Sequence, residues 1–152
     1  MANFDVKVID HTDEIISAKD AAVERALEII GGKMERYAKA LCPVGTPEST
    51  GIAGYRGGTL RNSITYITSN HSGKTVTIPK ASASPTAPLH GGTQEDASTD
   101  EKNVVYVGTN VYYAPYVEEG TSKKAPRRFI KPALNDHLSE YKHIFLNELK
   151  KG

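Results

Sequence analysis

The sequence predicts an α+β domain: a small, mostly antiparallel sheet of three to four strands packed against a long N-terminal helix and a C-terminal helix, with a long loop inserted between strands. Three observations carry that expectation. Apolar residues recur at helical spacing near both ends, β-branched and aromatic runs stand between them, and a stretch poor in large apolar side chains interrupts those runs. At 152 residues the chain has the length of one ordinary domain, so 1–152 is read as a single unit.

The first helix is expected from about Asp13 to Leu41. Ile16, Val23, Leu27, Ile30, Met34, Tyr37 and Leu41 follow one another at intervals of three, four or seven, which places them on one face. Thr12 or Asp13 can cap the start, Glu14 and Asp20 suit the positive end of the macrodipole, and Pro43 ends the helix. Gly31 and Gly32 interrupt it, each at a cost of about 1 kcal/mol against Ala. They mark a break, or else a kink or the close approach of another backbone. The apolar stripe stays in phase across them, which favours the second reading.

Residues 43–58 hold five glycines and two prolines and read as a loop. Leu60 to Thr68 reads as a strand, Thr75 to Ile78 as a shorter one, and Asn70–Gly73 as the hairpin turn between them. Residues 80–102 are rich in Ala, Ser and Thr. They bury too little apolar surface to offset their ordering entropy and are expected to be a long loop, flexible or interface-forming. Asn103 to Thr109 is the strongest strand signal, with Val104, Val105, Tyr106 and Val107 in a row.

A brief helix is expected near Tyr113–Glu119, with Gly120 turning the chain so that the basic loop Thr121–Arg128 points outward. Tyr112, Tyr113 and Tyr116 crowd this stretch. Core packing under the sheet and a place at an interface are both open to them, the first being simpler. The last helix starts at Pro132 and carries Leu134, Leu138, Tyr141, Phe145 and Leu149 at intervals of three or four.

Several function classes are excluded by what the chain lacks. It has no run of about eighteen apolar residues, so no membrane is expected as a partner. Met1 to Asp10 lacks the basic region and apolar run of a signal peptide. A single cysteine, Cys42, rules out an internal disulfide and a cysteine-type zinc site, and its place at the end of an apolar helix suggests a buried, inert thiol. The chain therefore reads as a soluble product of a reducing compartment.

His11, His71, His90, His137 and His143 form no ligand spacing, and His137 and His143, six apart, diverge on one helix. The adjacent carboxylates Asp13–Glu14, Glu95–Asp96, Asp100–Glu101 and Glu118–Glu119 do not converge on one reacting atom. No Gly-x-Ser-x-Gly elbow is present, and the glycines of 51–58 follow a helix and precede a strand, the reverse of a phosphate cradle. No enzyme activity, catalytic residue, metal or cofactor is predicted.

The charge distribution is more informative. Residues 123–152 hold eight Lys plus Arg against three acids, whereas the rest of the chain holds eleven basic and fifteen acidic residues, and the whole carries only +1. So balanced a chain is not a general polyanion binder. The basic segment either touches nucleic acid or meets the acidic surface of another copy, for which Glu118 and Glu119 are candidates. A solvated surface of both signs is the plain alternative. A head-to-tail contact between unlike patches closes into a ring when the rotation allows.

Four motifs then stand in order. The first is a helix ending in Cys42-Pro43. Thr50-Gly51 and, after a glycine-rich insert, Leu60-Arg61-Asn62-Ser63-Ile64 form the second. The third is Val107 to Thr121, containing Val-Gly-Thr, Tyr-Ala and Val-Glu-Glu-Gly-Thr, and the fourth is Arg128-Phe129-Ile130-Lys131-Pro132-Ala133-Leu134. Together they resemble the phage tail-component family of the HK-ninety-seven gene-product-ten type over about residues 13–150. The insert Ile52–Thr59, the long 80–100 loop, and Arg128 where that family usually has proline are departures.

The resemblance implies a non-enzymatic virion protein of a tailed bacteriophage or prophage, located in the tail or neck and assembled in the host cytoplasm. It would form a ring at the head–tail junction or tail end, as a tail-completion, tail-terminator or joining subunit. Six copies are expected on a sixfold tail tube and twelve directly on the connector. The partners implied are copies of itself, the connector or head-closure protein and the tail tube protein, with genome DNA passing through without sequence-specific binding. The subunit interface or channel is expected at Glu118, Glu119, Thr121, Lys123, Lys124, Arg127 and Arg128. The alternative is a small nucleic-acid-binding domain using the basic 123–131 segment.

Overall fold

The computed structural model describes residues 6–9, 20–46, 57–77 and 93–151. Among these, the elements run β1 (Val6–Ile9), α1 (Asp20–Leu41), α2 (Thr59–Ser63), β2 (Thr65–Ile67), β3 (Gly73–Thr77), β4 (Thr93–Ala97), β5 (Val104–Gly108), α3 (Ala114–Glu119), α4 (Ile130–Asn135) and α5 (Leu138–Lys151).

The valine-rich β5 is the central strand of a three-stranded antiparallel sheet. It pairs with β1 on one side, Val6 opposite Val107, and with β2 on the other, Tyr66 opposite Val107. Strands β3 and β4 form a separate antiparallel ribbon, Gly73 opposite Ala97. Helix α1 lies on the sheet, and α4 and α5 pack against α1. The predicted α+β class is the class observed, with a long N-terminal helix, a C-terminal helix and small antiparallel sheets.

The stripe on α1 forms the core much as its spacing requires. Val23, Leu27, Ile30, Met34 and Ala38 are buried against Val105, Val107, Phe129 and Ile130. Leu41 is 47% exposed instead, and Cys42 takes the buried place at the helix end. Burial pushes the Cys42 thiol up to about 12, so it stays protonated, as an inert core cysteine should. The expected start of α1, with Ile16 and the Thr12 or Asp13 cap, lies outside the described residues.

Helix α1 runs unbroken through Gly31 and Gly32, and Gly31 is where the sheet comes closest. A Cβ at Gly31 would stand 2.6 Å from Tyr66 Cδ2 and 2.7 Å from Val105 Cγ2, whereas one at Gly32 would meet Tyr66 Cε1 at an ordinary 3.8 Å. This pair of glycines gives a controlled test. Gly32→Ala should gain up to about 1 kcal/mol of helix propensity. Gly31→Ala should lose about 1–2 kcal/mol net, because overpacking outweighs the same gain. Urea midpoints moving in the same direction for both variants would contradict the close approach.

Polar ties near its start and on its α5 side help fix α1 relative to its neighbours. Near its start, the buried Glu24 accepts the Asn103 amide at 2.7 Å and the Ser69 hydroxyl at 3.0 Å, joining the β2–β3 turn to the residue before β5. On the α5 side, Glu140 accepts Lys33 Nζ and the Tyr37 hydroxyl, each at 2.7 Å, while His137 stacks on Tyr37 with centroids 3.7 Å apart. The Lys33 and Tyr37 hydrogen bonds hold the Glu140 carboxyl below its usual range.

Several sequence expectations are corrected. The segment read as a strand from Leu60 begins with helix α2, because Leu60 and Ile64, four apart, are both buried, and Ser63 Oγ donates back to Leu60 O at 2.6 Å. Only Thr65–Ile67 is strand. The hairpin turn sits earlier than Asn70–Gly73: Thr68 and His71 exchange backbone hydrogen bonds of 3.0 and 3.3 Å around Ser69-Asn70.

The loop expected over 80–102 contains strand β4, while residues 78–92 lie outside the described residues, as do 47–56 of the earlier loop. The single C-terminal helix is two. Asp136 and His137 bend the chain so that Ala133 and Tyr141 are both buried, Tyr141 Oη donates to Ala133 O at 2.5 Å, and Leu138 is left 46% exposed. Strand β1 was not anticipated at all. His11 and His90 lie outside the described residues.

Candidate functional site

The basic loop after α3 is held at both ends and exposed throughout. Every residue from 121 to 128 is exposed. Its first turn is closed by Thr121, whose amide donates to Lys124 O at 2.8 Å and whose Oγ1 accepts the Lys124 and Lys123 amides at 3.1 and 3.3 Å. Its far end is tied back by the Arg127 amide, which donates to Val117 O at 2.8 Å. Gly120 starts the loop at φ 77°, a backbone region that L side chains avoid. A loop so tied presents its cations at little further entropic cost.

Glu118 is the anchor beneath it. Its side chain is fully buried and accepts three amides in succession: Phe129 at 2.8 Å, Ile130 at 3.1 Å and Lys131 at 2.8 Å. These are donors of the first turn of α4, which helical hydrogen bonding leaves unpaired. Glu118 is therefore not at a subunit surface, contrary to the sequence expectation. Ala114 and Glu118, four apart on α3, turn to the core together.

Glu119, the next residue, faces out and is occupied within the chain. Lys131 Nζ donates to its carboxylate and Arg128 lies 3.9 Å away. The Lys131 hydrogen bond holds the Glu119 carboxyl below its usual range. Arg128 thus shares its charge with Glu119, leaving Lys123, Lys124 and Arg127 as the outward cations. The tyrosines divide: Tyr113 packs against the core while Tyr116 is 55% exposed beside the loop's base.

A groove of about 530 Å³ runs along this loop, with Pro43, Leu60, Tyr113 and Val117 forming its apolar lining and Lys124 and Arg127 its cationic wall. Sequence reasoning missed the groove because its walls come from four separate segments. A second cleft, of about 400 Å³, lies between the sheet and the ribbon and is lined by Thr65, Thr75, Thr99, Tyr106 and Thr109. Its lining is rich in hydroxyls, of which that of Tyr106 donates to the Glu101 carboxylate beside the cleft.

Among the described residues no group of three or more His, Cys, Asp or Glu could hold a metal ion, and no helix is long and apolar enough to cross a membrane. Comparison with protein-family models, curated proteins and solved structures finds no match to this chain.

Proposed function

We propose that this chain is a non-enzymatic assembly protein of a tailed phage or prophage, forming a ring at the head–tail junction or tail end. The reading joins the motif resemblance to one observation: a cationic loop, tied by backbone hydrogen bonds and left wholly exposed, with its cations Lys123, Lys124 and Arg127 directed outward. A preorganised surface of one sign suits docking against another macromolecule, since the ordering cost of the loop is met within the fold. Six copies on a sixfold tail tube is the preferred ring, twelve on the connector the rival. The virion neck or tail is its place, beside the connector or head-closure protein and the tail tube protein, with DNA passing through the ring.

Reversing the loop's charge tests this reading. Lys123→Glu, Lys124→Glu and Arg127→Glu together should abolish ring formation and tail joining while leaving the unfolding midpoint nearly unchanged, because all three side chains are exposed. Normal joining by the triple variant contradicts the proposal. Duplex DNA binding by the unaltered chain that weakens steeply with salt, without any assembly, would instead favour nucleic-acid recognition through the 123–131 segment.

A further inference from the structure

We infer that the groove beside the basic loop receives the β3–β4 ribbon of a second copy in a head-to-tail contact. The inference rests on the assembly reading and names the surface that the loop meets. Glu118 and Glu119 do not supply that surface: one is buried under α4, the other occupied by Lys131 and Arg128 of its own chain. The acidic counterpart lies elsewhere.

The groove selects its occupant by shape and charge. Its apolar lining of Pro43, Leu60, Tyr113 and Val117 runs beside Lys124 and Arg127, so it suits an extended, acidic segment with small side chains among its carboxylates. Strand β4, Thr93-Gln94-Glu95-Asp96-Ala97, is such a segment. Gln94, Glu95 and Asp96 are all exposed, and the exposed Asp100 follows shortly after, whereas Glu101 accepts the Tyr106 hydroxyl of its own chain. Lys74 meets Asp96 at 3.0 Å, but both side chains are more than half exposed, and such surface pairs contribute little.

The ribbon's own energetics point the same way. A two-stranded antiparallel ribbon is marginal in water unless a face is packed. Strand β3 has that support, with Thr75 buried and Val76 packed against the core. Strand β4 has none over Gln94–Asp96, and among the described residues it pairs only with β3. Its carboxylates blunt it as a template for a like strand and leave it complementary to a cationic surface.

Two copies of β4 placed edge to edge would set Glu95 and Asp96 against like charges, which disfavours a symmetric dimer through this strand. Its meeting the cationic groove of the next copy is instead favourable and heterologous. Contacts of that type propagate into a ring when the rotation closes.

The test uses complementary reversals in the full chain, read by sedimentation velocity. Lys124→Glu with Arg127→Glu reverses the groove, and Glu95→Lys with Asp96→Lys reverses the ribbon. Each double variant alone should lose self-association by about tenfold or more, and an equimolar mixture should regain it, because each supplies the partner that the other lacks. Glu95→Gln with Asp96→Asn, which adds no repulsion, should weaken association less and serves if the reversed ribbon does not fold.

Ribbon variants that associate like the unaltered chain overturn this contact and leave the assembly reading standing. A mixture that stays dissociated overturns it as well, as does an unaltered chain that is monomeric at every concentration. The assembly reading falls by a different result, tail joining by the charge-reversed loop.

Discussion

Replacing Glu118 by Ala is expected to lower the unfolding free energy by about 3–5 kcal/mol. Three amides lose their acceptor at once: those of Phe129 and Ile130, both in fully buried residues, and that of Lys131, where water can reach. Each buried donor left unpaired costs about 1–3 kcal/mol, and the partly exposed one recovers most of its loss from solvent. The deleted side-chain volume adds the cost of a cavity at a fully buried position. Against a typical total of about 5–15 kcal/mol, such a loss brings a small domain close to unfolding.

Glu118→Gln separates acceptor from charge. The amide keeps one oxygen that can serve two of the three donors, but it turns an NH₂ group toward the third, so an intermediate loss of about 2 kcal/mol is expected. The chain has no tryptophan but eight tyrosines, so tyrosine fluorescence in urea reports both midpoints. A loss below about 1 kcal/mol for Glu118→Ala would mean that the carboxylate does not hold the loop, since ordinary surface substitutions fall within that range.

Adjacent residues on a helix point about 100° apart. The pair Glu118–Glu119 therefore cannot share one direction, and it divides between core and solvent where the sequence expectation places both at the surface. A signal for the division was present. Ala114 and Glu118 share a helical face, and the apolar pair Phe129-Ile130 begins the next helix without a side-chain cap of its own. A carboxylate on an apolar face shortly before an uncapped helix start is a candidate to supply that cap from a distance.

The elements that were legible are those whose burial follows one period for several turns, above all α1 and the valines of β5. Leu60 and Ile64 fit strand and helix equally over so short a run, and only their common burial decided between them. Strand β4 was hidden because Gln, Glu, Asp and Ala have little strand preference, and its pairing comes from β3 rather than from its own side chains. The bend at Asp136 was equally silent, since the interval from Leu134 to Tyr141 fits a continuous helix. The groove beside the loop needed the tertiary structure, as its lining is drawn from the residues after α1, α2, α3 and the loop.

Gly120→Ala is expected to cost about 3 kcal/mol or more, and its consequence reaches the surface proposed to dock. Two penalties act at one residue. Its φ of 77° with ψ of 177° lies in a region that is essentially glycine's own, where another residue pays about 1–3 kcal/mol in strain. A Cβ there would also stand 2.7 Å from Pro126 N and 2.9 Å from both Lys124 O and Pro126 Cδ. Those atoms are backbone or proline ring, so no side chain can swing aside.

The chain can relieve the overlap only by moving the loop. That movement would break the Thr121–Lys124 turn and the Arg127–Val117 hydrogen bond, which together aim Lys123, Lys124 and Arg127. The urea midpoint of Gly120→Ala should therefore fall, hydrogen exchange at the Thr121 and Arg127 amides should quicken beyond what the global loss explains, and self-association should weaken although no charge has changed. Unchanged exchange at those two amides in a destabilised variant would show that the turn is not what holds the loop, and the cations would then owe their placement to Glu118 alone.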